Sequence, residues 1–376
     1  MRSVLHEIRG LRPDAPITVD YRNSNRYRVV VSENDGSRTA YYFSAPIYNR
    51  QSRRLVDMRL FADRGEIRAV GSDADIRLSQ KLVMENAEGA ISLTLPQRAV
   101  LVSPHEAKSG SCVLSPTTNG VAIRCDGTGR TENRFVIETG QPYLTLRAND
   151  RCVALMREQF RPLAVLSCIG ALDASGRVTA AAKLEVQKLT DTQTAVTVFT
   201  ESPMSRAVLF EINLYENKLF QDTTVESGDP FANNAFGTVG FIGNSAAFGE
   251  QWLYARPDVS RLAELQDRRI LKAVLHLPKL DGGRTELSAF RVTARFCSFG
   301  SHWNNKAAGG TLAADSQTVG GYRSLDVTPL LVHPRTGTLL ASEGWILRAK
   351  STDSGFSVIT TGDSCFAPQI LEVNYR

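Results

Sequence analysis

The chain predicts an all-β protein built as two β-sandwich domains, and three observations carry that prediction. Apolar and polar residues alternate in short runs, as in Glu66-Ile67-Arg68-Ala69-Val70 and Ala90-Ile91-Ser92-Leu93-Thr94-Leu95. A period of two puts one face of each run in a core and the other toward water. Gly, Asn, Asp, Ser or Pro bounds each run, and a helical period persists nowhere except over 259–266. Short strands with regular turn punctuation are the pattern of packed sheets.

Taken in order, residues 1–16 form an N-terminal segment with a short helix over 3–9, broken at Pro13 and Pro16. Residues 17–216 form the first domain. It opens on a hairpin: Arg26 to Val31, then Asn34-Asp35-Gly36-Ser37, then Thr39 to Phe43. Further strands are expected at 66–70, 90–95, 120–125, 134–138, 143–147, 163–169, 182–188 and 195–200, with 206–215 closing the domain. No repeat of 20–50 residues is present. No Pro/Gly/Ser linker separates this domain from the second, 217–376.

The chain has 376 residues, enough for two domains with cores of their own. Its net charge is +5, and residues 218–376 hold 16 basic and 15 acidic side chains. The excess is too dilute for a nucleic-acid footprint, so no nucleic-acid partner is expected. No apolar run reaches transmembrane length. Residues 1–9 lack a secretory apolar core. Three readings follow: a signal trimmed away, non-classical export, or a protein held inside a host until lysis.

The six cysteines, Cys112, Cys125, Cys152, Cys168, Cys297 and Cys365, make no Cys-x-x-Cys pair. Spread thinly, they read as small buried hydrophobes. Cys112 and Cys125 flank a turn-rich Pro116-Thr117-Thr118-Asn119-Gly120 and face each other across a predicted hairpin. Geometry decides whether they bond.

Catalytic motifs were sought in turn. There is no Gly-x-Ser-x-Gly, no phosphate-cradling Gly-x-x-x-x-Gly-Lys, no His-Glu-x-x-His and no Gly-x-Gly-x-x-Gly. The nearest string, Gly243-Asn244-Ser245-Ala246-Ala247, lacks the closing glycine. A glycosidase carboxylate pair leaves no local motif, so glycan hydrolysis stays as a third reading behind two non-catalytic ones.

Residues 221–376 carry an ordered set of anchors. They are Gln221-Asp222-Thr223-Thr224-Val225-Glu226, Leu275-His276-Leu277-Pro278, His302-Trp303-Asn304-Asn305, Leu325-Asp326-Val327, Glu343-Gly344-Trp345 and Ile370-Leu371-Glu372-Val373-Asn374-Tyr375. In this order they resemble the DNRLRE domain, a jelly-roll β-sandwich of bacterial surface and secreted proteins related to carbohydrate-binding modules. His302 stands where that family often has Thr before Trp-Asn, and His276 where it often has an acid. The resemblance implies a C-terminal jelly roll and a role in recognising glycans.

Sugar binding uses flat aromatic faces beside hydrogen-bonding groups. Trp303 with His302, Asn304, Asn305 and Tyr254 has that composition. Trp303 has a second reading as a structural plug, and Trp345, in an apolar alternating strand, reads as core. Asp222, Asp229 and Asn234, with Glu226 and Asn233, supply oxygens suited to calcium. The resemblance to sandwiches that hold structural calcium points the same way, although Asp and Asn also serve turns.

The leading expectation is a non-catalytic protein of the cell surface or exterior that binds a polysaccharide or surface glycan. The alternative is a structural component of a virion (phage capsid or tail) or bacterial surface assembly, whose partners are neighbouring proteins.

Overall fold

A computed structural model describes residues 2–50, 52, 54–143, 145–158, 161–215, 219–281, 285–340, 343–351 and 355–376. The fold is all-β: 53% strand and 6% helix, in four antiparallel sheets. The sheets divide between two units. One is Met1–Ile47, Lys218–Ala235 and Val239–Arg376; the other is Tyr48–Asn217 with Phe236–Thr238.

The division corrects the domain reading at one end. Residues 17–47 group with the C-terminal strands and not with the first sandwich. Arg38–Phe43 pairs along its length with the last strand, Ile370–Tyr375, in the register Ala40↔Val373 and Tyr42↔Leu371. Arg28–Ser32 pairs with Arg38–Phe43 as the expected hairpin, and Gly36 takes the positive φ its turn needs. Residues 48–217 are thus an insertion between two parts of one sandwich.

In the terminal unit, a six-stranded sheet runs Arg28–Ser32, Arg38–Phe43, Ile370–Tyr375, Ile270–Pro278, Tyr322–Asp326, Gln317–Val319. A seven-stranded sheet runs Gly309–Asp315, Leu287–Val292, Trp345–Ala349, Gly249–Pro257, Val239–Ser245, Phe356–Thr360, with Phe220–Glu226 on Gly249–Pro257. From Ile270 onward the chain passes repeatedly from one sheet to the other, as in double-sheet jelly rolls. Alternate residues meet in one core: Ala40, Tyr42, Leu275 and Leu371 from the first sheet, Leu253, Ala255, Leu347 and Trp345 from the second. Trp345 is fully buried and lies edge-on to Phe220, ring centroids 5.9 Å apart.

The inserted unit has a nine-stranded and an eight-stranded sheet over a core of its own. Phe135 of the eight-stranded sheet meets Phe210 of the nine-stranded one at 5.3 Å. Cys112 and Cys125 stand directly opposite on adjacent strands and are disulfide-bonded. This replaces the expectation of a buried thiol at each position. Cys152 and Cys168 remain thiols, and burial pushes the Cys168 thiol well above its usual range.

The helix Arg2–Ile8 lies on the outer face of the six-stranded sheet. Leu5 is fully buried, Glu7 accepts the Gly321 N–H at 2.7 Å, and Arg9 is bidentate to Glu33 while donating to Tyr41. Residues 259–266, expected as helical, form a 3-10 helix, Val259–Leu265, capped by Asp258. Among the described residues no helix is long and apolar enough to cross a membrane.

Candidate functional site

The outer face of the seven-stranded sheet is built by the same alternation that builds the core. Leu253 and Ala255 point inward, so Trp252 and Tyr254 point outward. Leu347 points inward, so Ile346 and Arg348 point outward. The loop over 293–308 covers part of this face. Val225, Tyr254, Ile346 and Val292 form a buried cluster with the loop's own Phe296.

At the margin of that cover, aromatic rings and cations alternate in a ladder. The Arg348 guanidinium carbon lies 5.0 Å from the Phe290 ring centroid and 3.6 Å from that of Trp252. The Lys306 ammonium is 5.1 Å from the Trp252 centroid and 3.8 Å from that of Trp303. Trp252 and Trp303 are 5.0 Å apart, tilted by 55°. Each cation sits where a ring quadrupole is negative. Burial holds Lys306 below its usual pKa, opposed by Glu250 and reinforced by Arg348. Burial likewise lowers Arg348, opposed by Tyr254 and Glu250. Glu250 also accepts the Trp252 indole N–H at 2.7 Å.

The sequence-predicted residues occupy four different roles. Trp303 is half-buried on the ladder, with a ring face under Lys306. His302 and Asn305 shape the loop. The Asn305 side chain accepts the His302 backbone N–H and donates to Gly300 O, and His302 Nδ1–H donates to Pro230 O. Asn304 is exposed, its backbone N–H held by Pro230 O and its side-chain amide facing solvent. Tyr254 is a correction: it is fully buried, and its hydroxyl is spent on Ala307 O at 2.6 Å, so it holds the loop down rather than meeting a ligand. The sequence reading left out Lys306, Arg348 and the 72%-exposed Phe231, whose ring is 5.4 Å from that of His302. Strand parity relative to Leu347 signals Arg348; nothing local signals Phe231.

The proposed calcium ligands are engaged in hydrogen bonds with their neighbours. Asp222 accepts the Gly362 N–H, and Asp229 lies exposed in a turn, accepting from Phe231 N. Asn234 turns its amide N–H groups toward Thr224 O and Glu226, the polarity opposite to a cation ligand. Glu226 also accepts from Gln251 at 2.6 Å, and Gln251 accepts from Phe241 N. This is a buried hydrogen-bond network tying strands together. Among the described residues no group of three or more His, Cys, Asp or Glu is placed to hold a metal.

One further constellation has no sequence motif. On the outer face of the six-stranded sheet, His276 Nε2 meets Glu372 at 3.0 Å and Nδ1 meets Ser324 Oγ at 2.8 Å. The spacing is that of a hydroxyl, a base and an orienting carboxylate. His276 is 3% and Ser324 8% exposed, which leaves a substrate no approach to the hydroxyl. The array reads as a cross-strand polar tie between three adjacent strands.

No family model matches this chain, and no curated protein matches it either.

Proposed function

We propose that the terminal sandwich recognises glycans without catalysis, through the surface where Trp303, Asn304 and Phe231 reach solvent. The observation that carries this reading is the pair of half-buried indoles held by Lys306 and Arg348 beside the exposed Asn304 amide, which has no side-chain hydrogen bond among the described residues. Rigid rings lose little freedom on binding, and Asn304 offers both a donor and an acceptor to a sugar edge. The anchors shared with DNRLRE domains, and that family's kinship with carbohydrate-binding modules, support it. The test is a glycan array with the wild type and Asn304→Ala. Loss of a defined glycan signal with an unchanged melt supports the reading; a wild type that captures no glycan refutes it.

A second reading, an assembly component with protein neighbours, has one observation of its own. Val100–Ser103 is an edge strand of the nine-stranded sheet, paired on one side only, and Val100 and Val102 are 63% and 62% exposed. An open edge with apolar side chains is a template for another chain. Light scattering across a concentration series, with Val102→Lys as the comparison, tests it.

A further inference from the structure

Beside the start of Ile270–Pro278, the terminal unit carries a cleft of about 920 Å³, within the size range of ligand pockets. We propose that it binds an acidic oligosaccharide, whose carboxylate or sulfate groups pair with Arg269, Arg291 and Arg335. The ligand class rests on the glycan reading above; the site does not, since it shares no residue with the Trp303 surface.

The cleft gathers positive charge. Three guanidiniums and His333 surround one space, and no Asp or Glu lines it. Arg269 and Arg335 make no ion pair among the described residues, and the guanidinium of Arg291 donates only to the Pro329 carbonyl. Elsewhere in the unit Arg9, Arg28, Arg256 and Arg376 each have a carboxylate. Like charges gathered without a counter-charge repel one another, and an entering anion relieves the repulsion. Guanidinium suits this role because its paired N–H groups match a carboxylate or sulfate edge.

The arginines are also preorganised. Arg291 projects from a strand and is pinned by Pro329 O. Gly337, at φ +71°, lets its loop lie against the Arg269 stem; a Cβ there would come within 3.1 Å of Arg269 Cγ. The same glycine's carbonyl accepts Ile270 N–H at 2.7 Å. Arg335 sits on a turn whose N–H groups at 335 and 336 both point to His333 Nδ1, and Thr336 and Thr338 join their hydroxyls at 2.7 Å. The cations are therefore held on fixed backbone, which reduces the ordering lost on binding.

The size and lining of the cleft select the ligand. The cleft is larger than one small anion needs. Leu271, Pro329 and Val332 give it apolar walls suited to sugar C–H faces. Its lining has no Phe, Tyr or Trp on which a base would stack, so single-stranded nucleic acid is poorly matched.

The experiment is calorimetric titration of the full chain with four probes: oligogalacturonate, a sulfated heparin-derived oligosaccharide, neutral maltohexaose and oligo-dT. Binding of either acidic sugar, weakening as salt rises, with no uptake of maltohexaose or oligo-dT, is the expected result. The two acidic probes separate carboxylate from sulfate recognition. Arg269→Ala with Arg335→Ala should weaken the bound probe by roughly tenfold or more for each guanidinium removed. Both side chains are exposed, so the melt should hold; Arg335→Glu alone gives an independent check through charge reversal. Equal binding of oligo-dT, no binding of either acidic sugar, or unchanged affinity in the arginine variants overturns the proposal. If acidic-sugar binding falls in Asn304→Ala but not in the arginine variants, the glycan reading stands and the cleft assignment fails.

Discussion

Trp303→Ala tests the ladder most directly. The substitution removes a ring 5.0 Å from Trp252 and takes away the partner of the Lys306 ammonium 3.8 Å from its centroid. A fully buried Trp→Ala change costs about 3–5 kcal/mol, and Trp303 is only half-buried, so packing contributes about 2 kcal/mol. The cation contact adds about 0.5–1 kcal/mol. A total near 2.5 kcal/mol in a unit of roughly 200 residues lowers Tm by about 5–10 °C. The assay is a thermal melt followed by near-ultraviolet circular dichroism, with Trp303→Phe retaining most of the loss-free packing as a control. Lys306→Met, which keeps the stem and deletes the charge, should cost about a third as much. A Trp303→Ala protein melting within about 1 °C of the wild type would refute the claim that the ring is held by its neighbours.

Three further outcomes follow from the fold. Cys125→Ser opens a bridge with a sequence separation of 13, and should cost about 3 kcal/mol on the chain-entropy view, read as a shifted urea midpoint that reductant reproduces in the wild type. A fragment starting at residue 218 lacks both strands that pair beyond Ile370–Tyr375; circular dichroism should show no cooperative melt, which returns when 1–47 is supplied in one chain with 218–376. The Arg9 guanidinium, above all, holds Glu33 below the usual carboxylate range. A depressed folded pKa gives stability that is present above the ordinary carboxylate pKa and lost as pH falls through the folded one. Glu33→Gln should therefore flatten the acid limb of the stability–pH curve and leave neutral-pH differences largely constant.

Strand content and the core face were legible because period two is a local signal. Ala90 to Leu95 alternates in sequence, and Ile91, Leu93 and Leu95 are buried as that pattern demands. The hairpin at Asp35-Gly36 was legible for the same reason: its turn chemistry and both strands lie within twenty residues. The pairing of Thr39 with Asn374 was not, because backbone hydrogen bonds carry no trace of their partner in either segment. Trp303 was legible as a dual-purpose residue, and its half-buried state explains why neither reading prevailed. Tyr254 was misread because a polar tip suggests an exposed ring, whereas its hydroxyl is satisfied inside by a loop carbonyl 53 positions away. The cleft escaped notice since Arg269, Arg291 and Arg335 are spaced too widely to form a basic run.

The pairing of Arg38–Phe43 with Ile370–Tyr375 sets a timetable for synthesis. The inserted sandwich has all its strands once the ribosome has passed Leu214, and is free to close while translation continues. The hairpin with Val29, Val30, Val31 and Tyr42 must wait for a partner more than three hundred codons downstream. At about 5–20 residues per second that interval is on the order of half a minute. During it, an apolar β-prone hairpin has no sheet to join, and such an edge is where chains associate wrongly. Expression yield should accordingly depend on chaperones that hold residues 28–43, and a codon-level slowdown anywhere between residues 48 and 369 should lower it more than one placed upstream of the hairpin.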